Sequence, residues 1–106
     1  MSLDQVMQDA RKAAEQAELA FVLKHGEPAY CGFAWVDVLV DRTNSKQAKE
    51  LIRLGFKKSY RPRCLTLWNP GGSPTQSMDV KETGAQAFAK VLQQAGVNAY
   101  MGSRAD

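Results

Sequence analysis

The sequence predicts an α+β fold in which an antiparallel sheet is backed by helices. Three observations predict it. Residues 31–40 form the one long apolar run; two stretches of helical periodicity follow at 45–54 and 80–95; and the segments between them carry turn and short-strand signals. After a leading helix the order is β-α-β-β-α-β, the split βαβ or ferredoxin-like arrangement with an additional N-terminal helix. Right-handed crossovers then set the strands at 30–40 and 64–68 side by side in the middle of the sheet. The helices at 45–54 and 80–95 cover one face, and the leading helix is expected to cover the other. The 106 residues suit a single domain, with the leading helix at 1–25, the core at 30–101 and a polar tail at 102–106 expected to fray.

Residues 1–25 place Leu3, Val6, Met7, Ala10, Ala13, Ala14, Ala17 and Phe21 on one stripe at helical spacing, and Ser2 with Gln5 reads as a capping box. Alanine dominates that stripe, so a partner can approach closely. Gly26 is a natural stop and Pro28 bars continuation. In residues 30–40 (YCGFAWVDVLV), Phe33, Trp35 and Leu39 point one way and Ala34, Val36, Val38 and Val40 the other. Both sets are apolar, which predicts a central strand covered on both sides. Asp37 interrupts the run and needs a partner such as an arginine or a backbone N–H, because a buried unpaired carboxylate costs several kcal/mol.

Residues 42–63 concentrate charge. They hold eight of the fourteen bases against one acid, Glu50, a net +7, whereas the other 84 residues hold six bases and ten acids, a net −4. Asn44 is placed to cap a helix that Gly55 ends, with Ala48, Leu51 and Ile52 inside and Lys46, Lys49 and Arg53 projecting from the opposite side. Residues 56–60 read as a short strand carrying Lys57 and Lys58; Arg61, Pro62 and Arg63 make a turn; and residues 64–68 (CLTLW) return as a second strand. Residues 69–78 are irregular. Asp79 with Glu82 is expected to start the last helix, whose inner face is Val80, Gly84, Ala87, Phe88, Val91 and Ala95, before Gly96 closes it and residues 97–101 form a last strand.

Several chemistries find no support. Cys31 and Cys64 each sit in an apolar run and read as small buried hydrophobes; with the single His25 they are too few for a metal site, so neither metal nor cofactor is expected. There is no Walker loop, dinucleotide fingerprint, GxSxG, HExxH or CxxC. No apolar run approaches the roughly 20 residues of a membrane span, and residues 1–10 show no basic region followed by an apolar block. A non-enzymatic, cytoplasmic protein is the expectation. A carboxylate chemistry built on Asp37, with a small pocket from Trp68, Asn69, Thr75, Gln76 and Ser77, is the weakest of the alternatives.

The cations make nucleic acid the first expected partner. Phosphates would meet Lys46, Lys49, Arg53, Lys57, Lys58, Arg61 and Arg63, with Tyr60 among them as an aromatic contact. A plain solvated face is the bland reading of the same run. A sheet that stacks bases on Phe33, Trp35 and Trp68 is a sharper version, but the leading helix is expected to occupy that surface. The alternative partner is a protein: a second copy, or a host factor whose acidic patch meets the same cations.

The strings CGFAWV, LWNP, TQSMD and AYMGSRAD, taken together from His25 onward, resemble small uncharacterised proteins encoded by tailed bacteriophages and prophages. The resemblance implies a phage-related gene acting in the cytoplasm of a bacterial host, in phage DNA metabolism or host takeover. It carries no assigned chemistry, so no functional residue transfers.

Overall fold

Two of the three helices among the described residues begin where a serine hydroxyl accepts from the first turn. Helix α1 (Leu3–His25) is capped by Ser2, whose hydroxyl accepts from the Gln5 backbone N–H, and Gly26 ends it at φ 73°. Helix α2 (Lys46–Arg53) is capped by Ser45, one residue later than the Asn44 expected, because the Ser45 hydroxyl accepts from the Ala48 N–H. Helix α3 (Met78–Gln94) starts one residue before Asp79, after Ser77. The Met78 N–H donates to the Tyr30 carbonyl, which ties the start of the helix to the chain just ahead of the first strand. The computed structural model describes residues 2–26, 28, 30–72 and 77–105. Thr75 and Gln76, expected to line a pocket, lie outside the described residues.

Strands β1 (Gly32–Leu39), β2 (Lys57–Lys58), β3 (Cys64–Trp68) and β4 (Ala99–Ala105) form one antiparallel sheet in the order β2-β3-β1-β4. β1 and β3 are neighbours at its centre, as the element order predicts. β2 is only two residues long, shorter than the 56–60 expected. β4 runs through Ala105, so residues 102–105 are paired with Gly32 to Trp35 rather than frayed. Apolar alternation stops at Met101, but backbone pairing with β1 continues regardless of side-chain polarity.

The core lies on one side of this sheet. Ala34, Val36 and Val38 of β1, Leu65 of β3 and Ala99 of β4 are buried with Leu51 of α2 and Ala85, Phe88 and Leu92 of α3. α3 packs on β1 and β4, and α2 on β3.

Here the structure overturns the main expectation about layering. α1 does not cover the second face of the sheet; it packs along α3, and its buried Val6, Met7, Ala10 and Ala14 join the same core cluster. The alanine stripe permits this packing. A surface this flat matches another helix at close range, and α3 supplies Gly84, where an added Cβ would run into the Glu18 side chain of α1. The second face of the sheet is therefore open.

Candidate functional site

Register places the residues of the open face. Paired residues in an antiparallel ladder share a side. Trp35 pairs with Trp68 and Gly102, Asp37 with Thr66 and Tyr100, Leu39 with Cys64, and Phe33 with Arg104. On β2, Lys57 pairs with Thr66 and so joins this face, while Lys58 pairs with Leu65 and turns to the other. Four aromatics share the surface: Phe33 and Trp35 half-buried, Trp68 54% exposed and Tyr100 50% exposed.

The aromatics are in mutual contact. Trp35 and Trp68 have ring centroids 4.8 Å apart at 46°, and Phe33 meets Trp68 edge to face at 6.2 Å and 82°. The indole of Trp35 lies over Gly102, where an added Cβ would come within 2.5 Å of its Nε1. Only glycine leaves room for that ring to lie flat across β4. The Arg104 guanidinium sits 5.9 Å from the Phe33 ring centroid, within cation–π range.

Asp37 lies beneath this surface and is 7% exposed. Its Oδ2 accepts from Trp35 Nε1 at 3.1 Å and from the Arg61 guanidinium at 2.7 Å, and its Oδ1 accepts from the Thr66 hydroxyl at 2.6 Å. The arginine partner that a buried carboxylate demands is thus Arg61, brought over the face by the β2–β3 turn. Arg63 takes φ 56° in that turn, and the Ser59 N–H donates to the Cys64 carbonyl. Cys64 is buried beside the pair. Its thiol is pushed up from the ordinary cysteine range, chiefly by burial and then by the Asp37 charge, with Arg61 opposing. It stays a protonated thiol. Cys31, expected to be buried, is exposed; it precedes β1 and forms an isolated bridge to Ser77.

The structure does not bring the eight expected contact residues to one place. Lys57 and Arg61 reach the open face. Tyr60, 95% exposed, and Arg63 stand on the turn beside it. Lys46, Lys49 and Arg53 lie on α2, which packs through Ala48 and Leu51 on the covered side. Arg53 is held by two carboxylates of the same chain, Asp4 at 2.6 Å and Glu50 at 2.7 Å, which push its pKa up from the ordinary arginine value. The i, i+3, i+7 spacing of the α2 cations located their helix face correctly, but not the acid that α1 brings across to it.

Sequence reasoning left out Tyr100 and Arg104, which the expected tail and short last strand concealed. The signal was present: Tyr100, Gly102 and Arg104 alternate with period two. A separate concavity of about 970 Å³ between α1, α2 and the end of α3 is lined by residues such as Leu3, Val6, Asp9, Lys46, Glu50 and Val91, with both signs of charge. Among the described residues no group of three or more His, Cys, Asp or Glu could hold a metal, and no helix is long and apolar enough to cross a membrane.

No family model matches this chain, and neither a curated protein nor a solved structure does.

Proposed function

We propose that the chain is a non-enzymatic module that binds single-stranded nucleic acid across the open face of its sheet. The observation that supports this best is the combination on that face: aromatics on the two central strands, left uncovered by α1, with cations at the rim. Lys57, Arg61 and Arg104 stand against one carboxylate, Asp37, already paired, a net +2 on the face. Bases would stack on Trp68, Tyr100 and Phe33, each worth about 1–3 kcal/mol, and phosphates would meet the cations. A duplex would keep its base faces stacked inside and leave none to stack on these rings.

The finer fold reading belongs to the same proposal. A ferredoxin-like split βαβ is supported by β1 and β3 lying together at the centre, with α2 and α3 on one side. The phage and bacterial-cytoplasm assignments rest on the resemblance of CGFAWV, LWNP, TQSMD and AYMGSRAD. The runner-up function, a protein-interaction module, draws on β4, a seven-residue edge strand with one side unpaired in the sheet order.

Both tryptophans of the chain lie on the open face, so binding has a built-in reporter. A ten-nucleotide single strand should quench their emission and raise the anisotropy of a labelled strand, with a duplex of the same length binding at least tenfold more weakly. With about two phosphate contacts beyond the charge that Asp37 cancels, the log–log salt slope is about −1.4, close to a sevenfold loss from 50 to 200 mM salt. Trp68→Ala should lower affinity about tenfold or more. No binding at 50 mM salt, or affinity indifferent to Trp68→Ala, sinks the proposal.

A further inference from the structure

Resting on the single-strand reading above, we infer that Arg61 reads base edges, and that it selects a base with two adjacent hydrogen-bond acceptors, guanine or cytosine. The hydrogen-bonding groups of the open face are largely committed to one another. Its carboxylate has no reachable capacity left: Asp37 accepts three hydrogen bonds and is buried under its donors. The Trp35 indole N–H and the Thr66 hydroxyl proton are committed to it. What remains towards solvent is donors on Arg61, Arg104 and Lys57, and the Tyr100 hydroxyl.

Arg61 is the one donor set that is both oriented and adjacent to the rings. Its guanidinium and the Trp35 indole donate to the same oxygen of Asp37, which puts the guanidinium beside the Trp35–Trp68 pair where a base would stack. One of its nitrogens is engaged with Asp37. Its other donors have no partner among the described residues, and the side chain is 52% exposed. A guanidinium held this way presents a planar fork, and a fork of parallel N–H groups needs two neighbouring acceptors. Guanine offers O6 and N7; cytosine offers O2 and N3 on the edge that a single strand leaves unpaired. Adenine, uracil and thymine offer no two neighbouring acceptors, so one N–H of the fork would face an N–H or a C–H.

The charge state also favours bases over phosphates. Arg61 and Asp37 cancel, so the pair adds little to the pull on a polyanion while keeping its hydrogen-bond directions. Lys57 and Arg104, without such a partner, are the phosphate contacts.

The test uses labelled ten-nucleotide uracil tracts, unmodified or with one central guanine, cytosine or adenine, together with the thymine DNA series, titrated by anisotropy at several salt concentrations. Wild type should bind the guanine or cytosine strand about tenfold more tightly than the adenine or unmodified strand. Arg61→Lys keeps the positive charge and should cut that preference to about twofold with the salt slope unchanged; Asp37→Asn, which loosens the anchor, should weaken it too. Lys57→Ala should lower all affinities and flatten the slope by about 0.7. Tight binding with less than twofold preference overturns the base-reading role and leaves the single-strand proposal standing. A preference untouched by Arg61→Lys, or an equal loss for every strand with a flatter slope, likewise overturns it, the latter by making Arg61 a phosphate contact. No binding to any strand removes both. Thermal melts of the variants separate these outcomes from unfolding.

Discussion

Alternate residues of β1 live in opposite worlds. Ala34, Val36 and Val38 are fully buried under α3, while Phe33, Trp35 and Leu39 on the reverse carry partial exposure at the surface of the molecule. Both sets are apolar, and apolarity alone says that both sides prefer to leave water. The difference lies in shape and in polar handles. The covered side is small and β-branched, which lets a helix approach within packing distance. The open side is aromatic, with an indole N–H that needs a partner and a carboxylate beneath it that supplies one. A strand apolar on both faces marks burial on one side and, on the other, either a second layer or a binding surface; bulky aromatics beside an arginine–aspartate pair mark the latter.

The largest expected effect tests the covered side. Phe88 is fully buried against Phe56 at 6.5 Å, within the core cluster. Phe88→Ala should cost about 3–5 kcal/mol in urea unfolding. Trp68→Ala, on the open side, removes a ring of comparable size from a site more than half exposed and should cost under about 1 kcal/mol, although it should abolish most strand binding. Equal losses for the two would break the distinction between the faces.

Gly102→Val sharpens the open side itself. A Cβ there meets the Trp35 indole at 2.5–2.9 Å, so the ring must lift and release its hydrogen bond to Asp37. A cost of roughly 1–3 kcal/mol is expected, together with a shift of tryptophan emission as the indole changes surroundings. An unshifted spectrum would mean that the indole does not rest on β4.

Much of this arrangement was legible in the sequence, and what was not has identifiable causes. The central pairing of β1 with β3, the Ser2 cap and the burial of Ala48, Leu51, Val80, Gly84 and Phe88 follow from periodicity and local hydrogen bonding. Ile52 and Ala95, expected inside, are exposed, and α3 turns Ala85, Ala89 and Leu92 inward instead. Asp37 announced that it needed a partner such as an arginine or a backbone N–H, and the fold supplies Arg61. The position of α1 was not legible, because an alanine stripe packs equally well on a sheet or on a helix; Gly84 on the inner face of α3 signals close packing, but its partner, Glu18 of α1, is visible only in the fold. The charge run of residues 42–63 likewise concealed its own division. Sequence shows neighbours along the chain, whereas Asp4 reaches Arg53 and Asp37 reaches Arg61 only through the fold.

Glu18 gives the covered side a pH signature. It is 5% exposed, its Oε2 has no hydrogen-bond partner among the described residues, and it is wedged against Gly71 and Gly84. Burial first, and the neighbouring Glu15 charge second, raise its pKa from 4.5 to about 7, while Lys81 opposes the shift. A raised folded-state value means that the folded chain holds this proton more tightly than the unfolded one. The stabilisation is complete below pH 4.5, declines as pH rises towards 7, and is gone above it. Glu18→Gln should therefore raise stability at pH 8 by about 1–3 kcal/mol and have little effect near pH 4. A pH-independent difference between Glu18→Gln and wild type would place the burden elsewhere.

The smallest expected effect separates the open face from the α2 cations. Arg53 is held between Asp4 and Glu50 at the surface, where exposed ion pairs contribute little to stability. Asp4→Asn with Glu50→Gln should leave the melting temperature nearly unchanged while releasing Arg53 and removing two negative charges beside Lys46 and Lys49. If polyanions docked on α2, those changes would raise strand affinity several-fold at low salt, because each additional phosphate contact on a single strand adds about 0.7 to the salt slope. With the strand lying across β1 and β3, on the far side of the sheet from α2, the affinity should change less than about twofold and the slope should stay at about −1.4. A several-fold gain would return the site to the helix that the charge run first indicated, and leave Trp35 and Trp68 as packing alone.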